Sequence, residues 1–287
     1  MSGRVPSHGP FKLLALDVDG TLVDDSLDIT PANLDALKRA MAAGVKVVLA
    51  TGRMFRSAMR YVDEIATPSP VICYQGAVIR QPDGTLVREW ALSPDAARTA
   101  VNLSRELGLH VNLYRDDNFY VEKLGWGAER YASVAQVEPI VVDDLMTIAG
   151  GGSTKVVFVD AHPRLRELED RVRAAFEPRS RITFSMPEFL EVVDADVSKA
   201  AALRHVCEIY GIRAEQVVAA GDAQNDRELF AYSGLAVAPR SAVAEVREAA
   251  DFLVAPPGED GIAELVDRFI LATPPSGDQS GSASANL

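Results

Sequence analysis

Short apolar runs alternate with helical patterns along the first 80 residues, and this alternation limits the chain to few folds. Phe11–Leu16 is an apolar run suited to a strand buried on both faces. Thr30 is placed to cap a helix with Pro31 in its first turn, and Leu34, Leu37 and Met41 recur at helical spacing until Gly44. Val45–Ala50 predicts a second buried strand, residues 54–66 a helix, and Val71–Tyr74 a third strand. Strand, helix, strand, helix, strand in this order implies a parallel sheet with right-handed crossovers.

The same grammar returns near the C-terminus. A helix is predicted from Ser198 to Tyr210, followed by a strand at Val217–Ala220, a helix near Asp226–Tyr232 and a strand at Leu235–Ala238. A helix at Ala242–Ala249, a strand at Phe252–Val254 and a helix at Glu259–Leu271 complete it. Between the halves the pattern changes. Asp83 and Gly84 mark a hairpin turn between Val78–Arg80 and Leu86–Arg88. Strand-like pieces follow at Leu109–Tyr114, Phe119–Glu122, Lys155–Asp160 and Arg181–Ser185, with helical patterns at Pro94–Leu107 and Pro163–Phe176. The expected fold class is therefore α/β, a doubly wound parallel sheet with an inserted α+β domain. The core takes residues 11–82 and 192–272 and the insert 83–191. The ends, 1–10 and 273–287, read as disordered tails, the latter rich in Ser, Gly, Pro and Ala.

A length of 287 residues suits two domains or one large one, and 48% hydrophobic with 24% charged residues is ordinary for a globular chain. The net charge of -12 argues against a nucleic-acid partner, since no excess of Lys and Arg exists to neutralise phosphates. A small anionic ligand is compatible with it, because one metal and one lysine reverse the potential locally. The first ten residues carry no signal-peptide run, and no stretch approaches the roughly 18 apolar residues of a membrane span. Neither Cys73 nor Cys207 belongs to a CxxC pair. These features predict a cytoplasmic protein with no membrane partner.

In open parallel sheets, ligands bind beyond the carboxyl ends of the strands. After the first strand come Asp17, Val18, Asp19, Gly20, Thr21 and Leu22. Residues two apart in an extended segment point the same way, so Asp17 and Asp19 can share a site. After the second strand come Thr51, Gly52 and Arg53, and after Ala220 come Gly221, Asp222, Ala223, Gln224, Asn225 and Asp226. Carboxylates gathered this way repel one another unless a cation joins them. Oxygen ligands without His or Cys point to Mg²⁺, which takes substrate phosphate readily as a ligand. One carboxylate can then attack phosphorus.

The set resembles the haloacid dehalogenase-like hydrolases, and within them the Cof-type sugar-phosphatase branch. Asp17–Leu22 resembles the first family motif, Thr51–Arg53 the second, Lys199 within Val197–Leu203 the third, and Gly221–Asp226 the fourth. The resemblance covers residues 11–271, with the insert standing where that branch carries an α+β cap. It implies a Mg²⁺-dependent phosphatase acting on a small-molecule phosphate ester. Sugar phosphates lead, followed by phosphorylated cofactors such as flavin mononucleotide or pyridoxal phosphate. Asp17 is then nucleophile and metal ligand. Asp19 is general acid and base, with its backbone carbonyl on the metal. Thr51 and the Gly52 amide hold phosphate oxygens, and Lys199 offsets charge on the phosphoryl group and nucleophile. Asp222 binds Mg²⁺, while Asn225 and Asp226 orient Lys199 or the metal's waters. Arg53, Gln75 and Asn225 are expected beside the substrate. Gln75 stands where branch members often have Asn, and Arg240 falls in a stretch that many members fill differently. A phosphosugar mutase and a non-catalytic phosphometabolite-binding regulator are the alternatives, and the assembly is expected to be a monomer or homodimer.

Overall fold

In the computed structural model, which describes residues 11–272, the first apolar run forms β1 (Leu13–Leu16), buried at every position. The tails expected at 1–10 and 273–287 lie outside the described residues. Next come α1 (Pro31–Ala42), β2 (Lys46–Leu49), α2 (Phe55–Ile65), β3 (Val71–Cys73), β4 (Val78–Arg80) and β5 (Leu86–Glu89). Thr30 caps α1 as expected, its hydroxyl accepting from the Asn33 amide at 3.3 Å.

The insert contains α3 (Pro94–Leu107), β6 (His110–Arg115), β7 (Asn118–Val121), α4 (Trp126–Ala135), β8 (Ile140–Val141) and α5 (Met146–Ala149). It continues through β9 (Val156–Val159), α6 (His162–Phe176), β10 (Ser180–Met186) and β11 (Phe189–Asp194). The chain then returns through α7 (Lys199–Tyr210), β12 (Val217–Ala220), α8 (Arg227–Tyr232), β13 (Leu235–Pro239), α9 (Ala244–Ala249), β14 (Phe252–Val254) and α10 (Gly261–Leu265). A π-helical turn at Val266–Ile270 extends the last helix.

Five parallel strands make the core sheet in the order β14-β13-β12-β1-β2. Leu16 pairs with both Ala220 and Leu49, so β1, β2 and β12 end level with one another. That register delivers Asp17, Thr51 and Asp222 to one edge of the sheet. The third strand differs from the expectation of a full parallel partner. It touches the β2 end through the single bridge Ala50–Ile72, then pairs antiparallel with β4, which pairs with β5.

The insert is a six-stranded sheet, β10-β11-β9-β6-β7-β8, antiparallel except between β7 and β8. One face packs on α3, α5 and α6 through Leu113, Val156, Phe158, Leu190 and Val192. The opposite face, through Tyr114, Phe119, Val157 and Phe189, joins the cluster that holds Leu14, Leu16 and Val47 of the core. The expected boundaries at 82/83 and 191/192 fall within connected elements. The first cuts the β4–β5 hairpin, and the second cuts β11. We propose the division instead near residues 91 and 195.

Strand β11 escapes sequence reading because a charge interrupts its apolar pattern. Glu191 is 3% exposed and meets the equally buried Lys155 at 3.0 Å across β9 and β11. Glu191→Ala, which leaves Lys155 buried and unpaired, is expected to destabilise the chain by about 3–5 kcal/mol. Urea unfolding measures this, and a shift below about 1 kcal/mol would contradict it.

Candidate active site

Asp17 follows β1 directly and is 5% exposed. Its Oδ1 accepts from Lys199 Nζ at 2.6 Å, and the same ammonium donates to Asp226 Oδ1 at 2.7 Å. Lys199 opens α7 behind the cap residue Ser198, whose hydroxyl accepts from the Ala201 amide at 3.0 Å. A cation at a helix start faces the positive end of the dipole. Two carboxylates offset that cost. Burial disfavours the ammonium, yet Asp17 and Asp226 outweigh it and lift Lys199 above its ordinary value.

Negative charge still exceeds positive in this corner. Burial and the Asp226 carboxylate push Asp17 well above the usual carboxylate range, Lys199 pulls it down, and Asp222 raises it further. Burial, then Asp226, raises Asp222 as well. Asp17, Asp222 and Asp226 each offer an oxygen within 4.8 Å of the others, the one such cluster among the described residues. Asp226 is fully buried and already engaged on both oxygens, since Oδ2 accepts from the Asp222 and Ala223 amides at 3.1 Å. The sequence expected it to orient Lys199 or the metal's waters, and its Oδ1 lies 2.7 Å from the Lys199 ammonium. Asp17 and Asp222 each accept a side-chain hydrogen bond on Oδ1 alone, from Lys199 and Thr21 respectively.

Thr21, to which the sequence assigned nothing, donates its hydroxyl to Asp222 Oδ1 at 3.1 Å. Its place in the Asp-Gly-Thr turn is the signal that could have found it. Gly20 makes this approach possible. It sits at φ +83°, and a Cβ there would lie 2.3 Å from Asp222 Oδ2.

Thr51 is fully buried, and its hydroxyl accepts from the Arg53 amide at 3.1 Å. Asp19 stands apart from the buried carboxylates. Its side chain is 53% exposed and is gripped by Arg53, with Nε to Oδ2 at 2.9 Å and Nη2 to Oδ1 at 2.6 Å. Gln75 lies against Gly52 and takes a 2.7 Å bond from Asn225 Nδ2 on its Oε1. Asn225 thus bonds Gln75, the residue expected with it beside the substrate, while its other expected part was to orient Lys199 or the metal's waters. Arg240 is exposed, with its nearest carboxylate Glu264 at 3.7 Å. No described helix is long and apolar enough to cross a membrane.

Comparison with known proteins agrees with this geometry. A family model described as haloacid dehalogenase-like hydrolase matches residues 14–266. YxeH of Bacillus subtilis (strain 168) is 30% identical over 275 residues, covering 91% of this chain and 99% of its own. The 5-amino-6-(5-phospho-D-ribitylamino)uracil phosphatase YcsE of the same strain is 28% identical over 269 residues, covering 91% and 96%. Among solved structures, TM0651 from Thermotoga maritima matches with a TM-score of 0.84 at 28% identity, covering 92% of this chain and 98% of its own. With its motifs gathered at one sheet edge under an α+β cap, the chain belongs to the haloacid dehalogenase-like hydrolases, in their Cof-type branch, and is an enzyme of the phosphatase class.

Proposed function

We propose that the enzyme hydrolyses small phosphorylated metabolites in a Mg²⁺-dependent reaction with Asp17 as nucleophile. The observation that carries this reading is the buried Asp17–Lys199–Asp226 cluster with Asp222 beside it. A nucleophilic carboxylate must be dry, oriented and kept ionised, and Lys199 serves the last two needs. An all-oxygen donor set with surplus negative charge fits Mg²⁺. Asp17, Asp222 and the Asp19 backbone carbonyl would hold the ion. When bound, it neutralises charge on the phosphate oxygens.

In this reading an Asp17 oxygen bonds to phosphorus as the ester P–O bond breaks, and Asp19 gives its proton to the departing oxygen. Asp19 then takes a proton from water, whose oxygen attacks the phosphoryl group and frees Asp17. The Thr51 hydroxyl and Gly52 amide hold phosphate oxygens during both steps. Lys199 offsets charge on the transferring group. Asp19 has to part from Arg53 to serve as acid, which gives Arg53 the task of parking it between turnovers.

Cap movement would exclude water from the site, and cap residues would select the leaving group. Sugar phosphates are the leading class, with phosphorylated cofactors such as flavin mononucleotide or pyridoxal phosphate next. A relative named for a phosphorylated ribityl substrate supports a polyol or sugar phosphate at this site.

The test is phosphate release from a panel of such esters after EDTA treatment, with and without added Mg²⁺. Turnover is expected to fall at least about a hundredfold without the metal and to return with Mg²⁺. Undiminished turnover in EDTA would overturn the metal assignment. Isomerised sugar phosphate in place of free phosphate would favour the mutase.

A further inference from the structure

The cap meets the core at a turn whose contacts go beyond packing. Asp116 and Asp117 join β6 to β7 with both residues in the left-handed region, at φ 51° and 58°. This is the geometry of a tight hairpin turn. The Asp117 side chain crosses to the core and is only 13% exposed. Its Oδ1 accepts from the Phe55 amide at 3.0 Å and from the Tyr74 hydroxyl at 2.9 Å, while Oδ2 accepts from the Arg56 amide at 2.9 Å. Phe55 and Arg56 open α2, whose own cap residue, Met54, makes no side-chain bond to it. The cap thus supplies the helix start with the carboxylate that its own sequence lacks.

Thr51, Gly52 and Arg53 lead into that helix start. Tyr74 and Gln75 hold the same segment from the other side, the Tyr74 amide donating to the Arg53 carbonyl at 3.0 Å and the Gln75 amide to the Thr51 carbonyl at 3.1 Å. Both sit at positive φ, 53° and 59°. An aromatic residue keeps that conformation only where its surroundings enforce it. The bond from the Tyr74 hydroxyl to Asp117 is one such restraint. Burial and the Asp117 carboxylate push that hydroxyl well above its ordinary value, so it remains a donor.

Resting on the reading of Thr51–Arg53 as the phosphate-holding segment, we propose that Asp117 is a positioning residue supplied by the cap. It joins the start of α2 and the Tyr74 hydroxyl only when the cap is seated, and it thereby sets the phosphate segment as the site closes. Phosphate binding and cap seating then favour each other by the same factor.

The experiment uses the full chain in Mg²⁺, with inorganic phosphate titrated calorimetrically beside kinetics on an ester from the panel. Asp117→Ala is expected to raise KM and the phosphate Kd together by about tenfold, on the scale of losing a helix cap. Its kcat is expected to stay within about threefold. Asp117→Asn keeps one accepting oxygen and loses the bonds of the other, so it is expected to bind phosphate less tightly than the native chain and more tightly than Asp117→Ala. Tyr74→Phe keeps the ring and loses one bond, so it is expected to weaken phosphate binding to a smaller extent. Together these two variants test the idea even if Asp117→Ala fails to fold. Unchanged phosphate binding in both Asp117→Ala and Tyr74→Phe, with lowered Tm alone, would overturn the proposal. So would an Asp117→Asn chain as impaired as Asp117→Ala. Thr51→Ala separates the two layers. If it leaves phosphate binding unchanged, the reading of the segment falls and the positioning role with it. If it weakens phosphate while the Asp117 and Tyr74 variants do not, only the positioning role falls.

Discussion

Asp17→Asn is expected to lower phosphate release by at least about four orders of magnitude while the fold survives, because it removes the attacking oxygen but not the shape. Asparagine keeps a carbonyl oxygen that still accepts from Lys199. Stability is expected to move in the opposite direction to activity. Burial and the neighbouring carboxylates raise Asp17 above its ordinary value, so its charged form destabilises the metal-free fold at neutral pH. Asparagine removes that charge. In EDTA at pH 7 the variant is therefore expected to melt about 3 °C or more above the native chain. Calorimetry and phosphate release measure the two effects on one preparation. Turnover within tenfold of native would sink the nucleophile assignment. A lower Tm in EDTA would sink the account of charge crowding.

The divide between what was legible and what was not follows the range of the interactions. Asp17, Thr51 and Asp222 could be placed from sequence because each follows a short buried strand, and parallel register alone brings such positions to one edge. Lys199 was reached only through the resemblance of Val197–Leu203 to the third family motif, and the two carboxylates that offset its seat at a helix start appear only in the fold. The partner of Asn225 was not legible, because a bond to Gln75, 150 positions away, depends on how two loops meet. Nor was the grip of Arg53 on Asp19, since spacing along the chain does not fix which carboxylate a guanidinium chooses. The cap was least legible. Its sheet order sets β11 beside β9 and β9 beside β6, and the buried Glu191, paired with Lys155, interrupts the apolar rhythm of β11. Asp117 looks like any turn residue until the helix that it caps is seen across the domain boundary.

Lys199→Met is expected to remove both activity and much of the stability, by one physical cause. Methionine fills a similar volume but leaves Asp17 and Asp226 buried with no cation between them. Breaking a buried ion pair from one side costs about 3–5 kcal/mol. Turnover is expected to fall about a thousandfold through lost stabilisation of the transferring charge. The pH dependence identifies the cause. Lys199 lowers Asp17 and Asp222, so its loss raises both further above their ordinary value of 3.8. A carboxyl raised in the fold binds protons more tightly folded than unfolded, so stability increases as pH falls through the raised value toward the ordinary one. The native chain shares that slope, and the variant exceeds it. Measured by urea in EDTA, the deficit of Lys199→Met against native is therefore expected to be larger at pH 7 than at pH 5. An equal deficit at both pH values would assign the loss to packing instead. Adding Asp17→Asn to Lys199→Met removes one of the stranded carboxylates, and the double variant is expected to recover part of the lost stability at pH 7. A recovery no larger than the gain that Asp17→Asn gives the native chain would contradict a shared electrostatic origin.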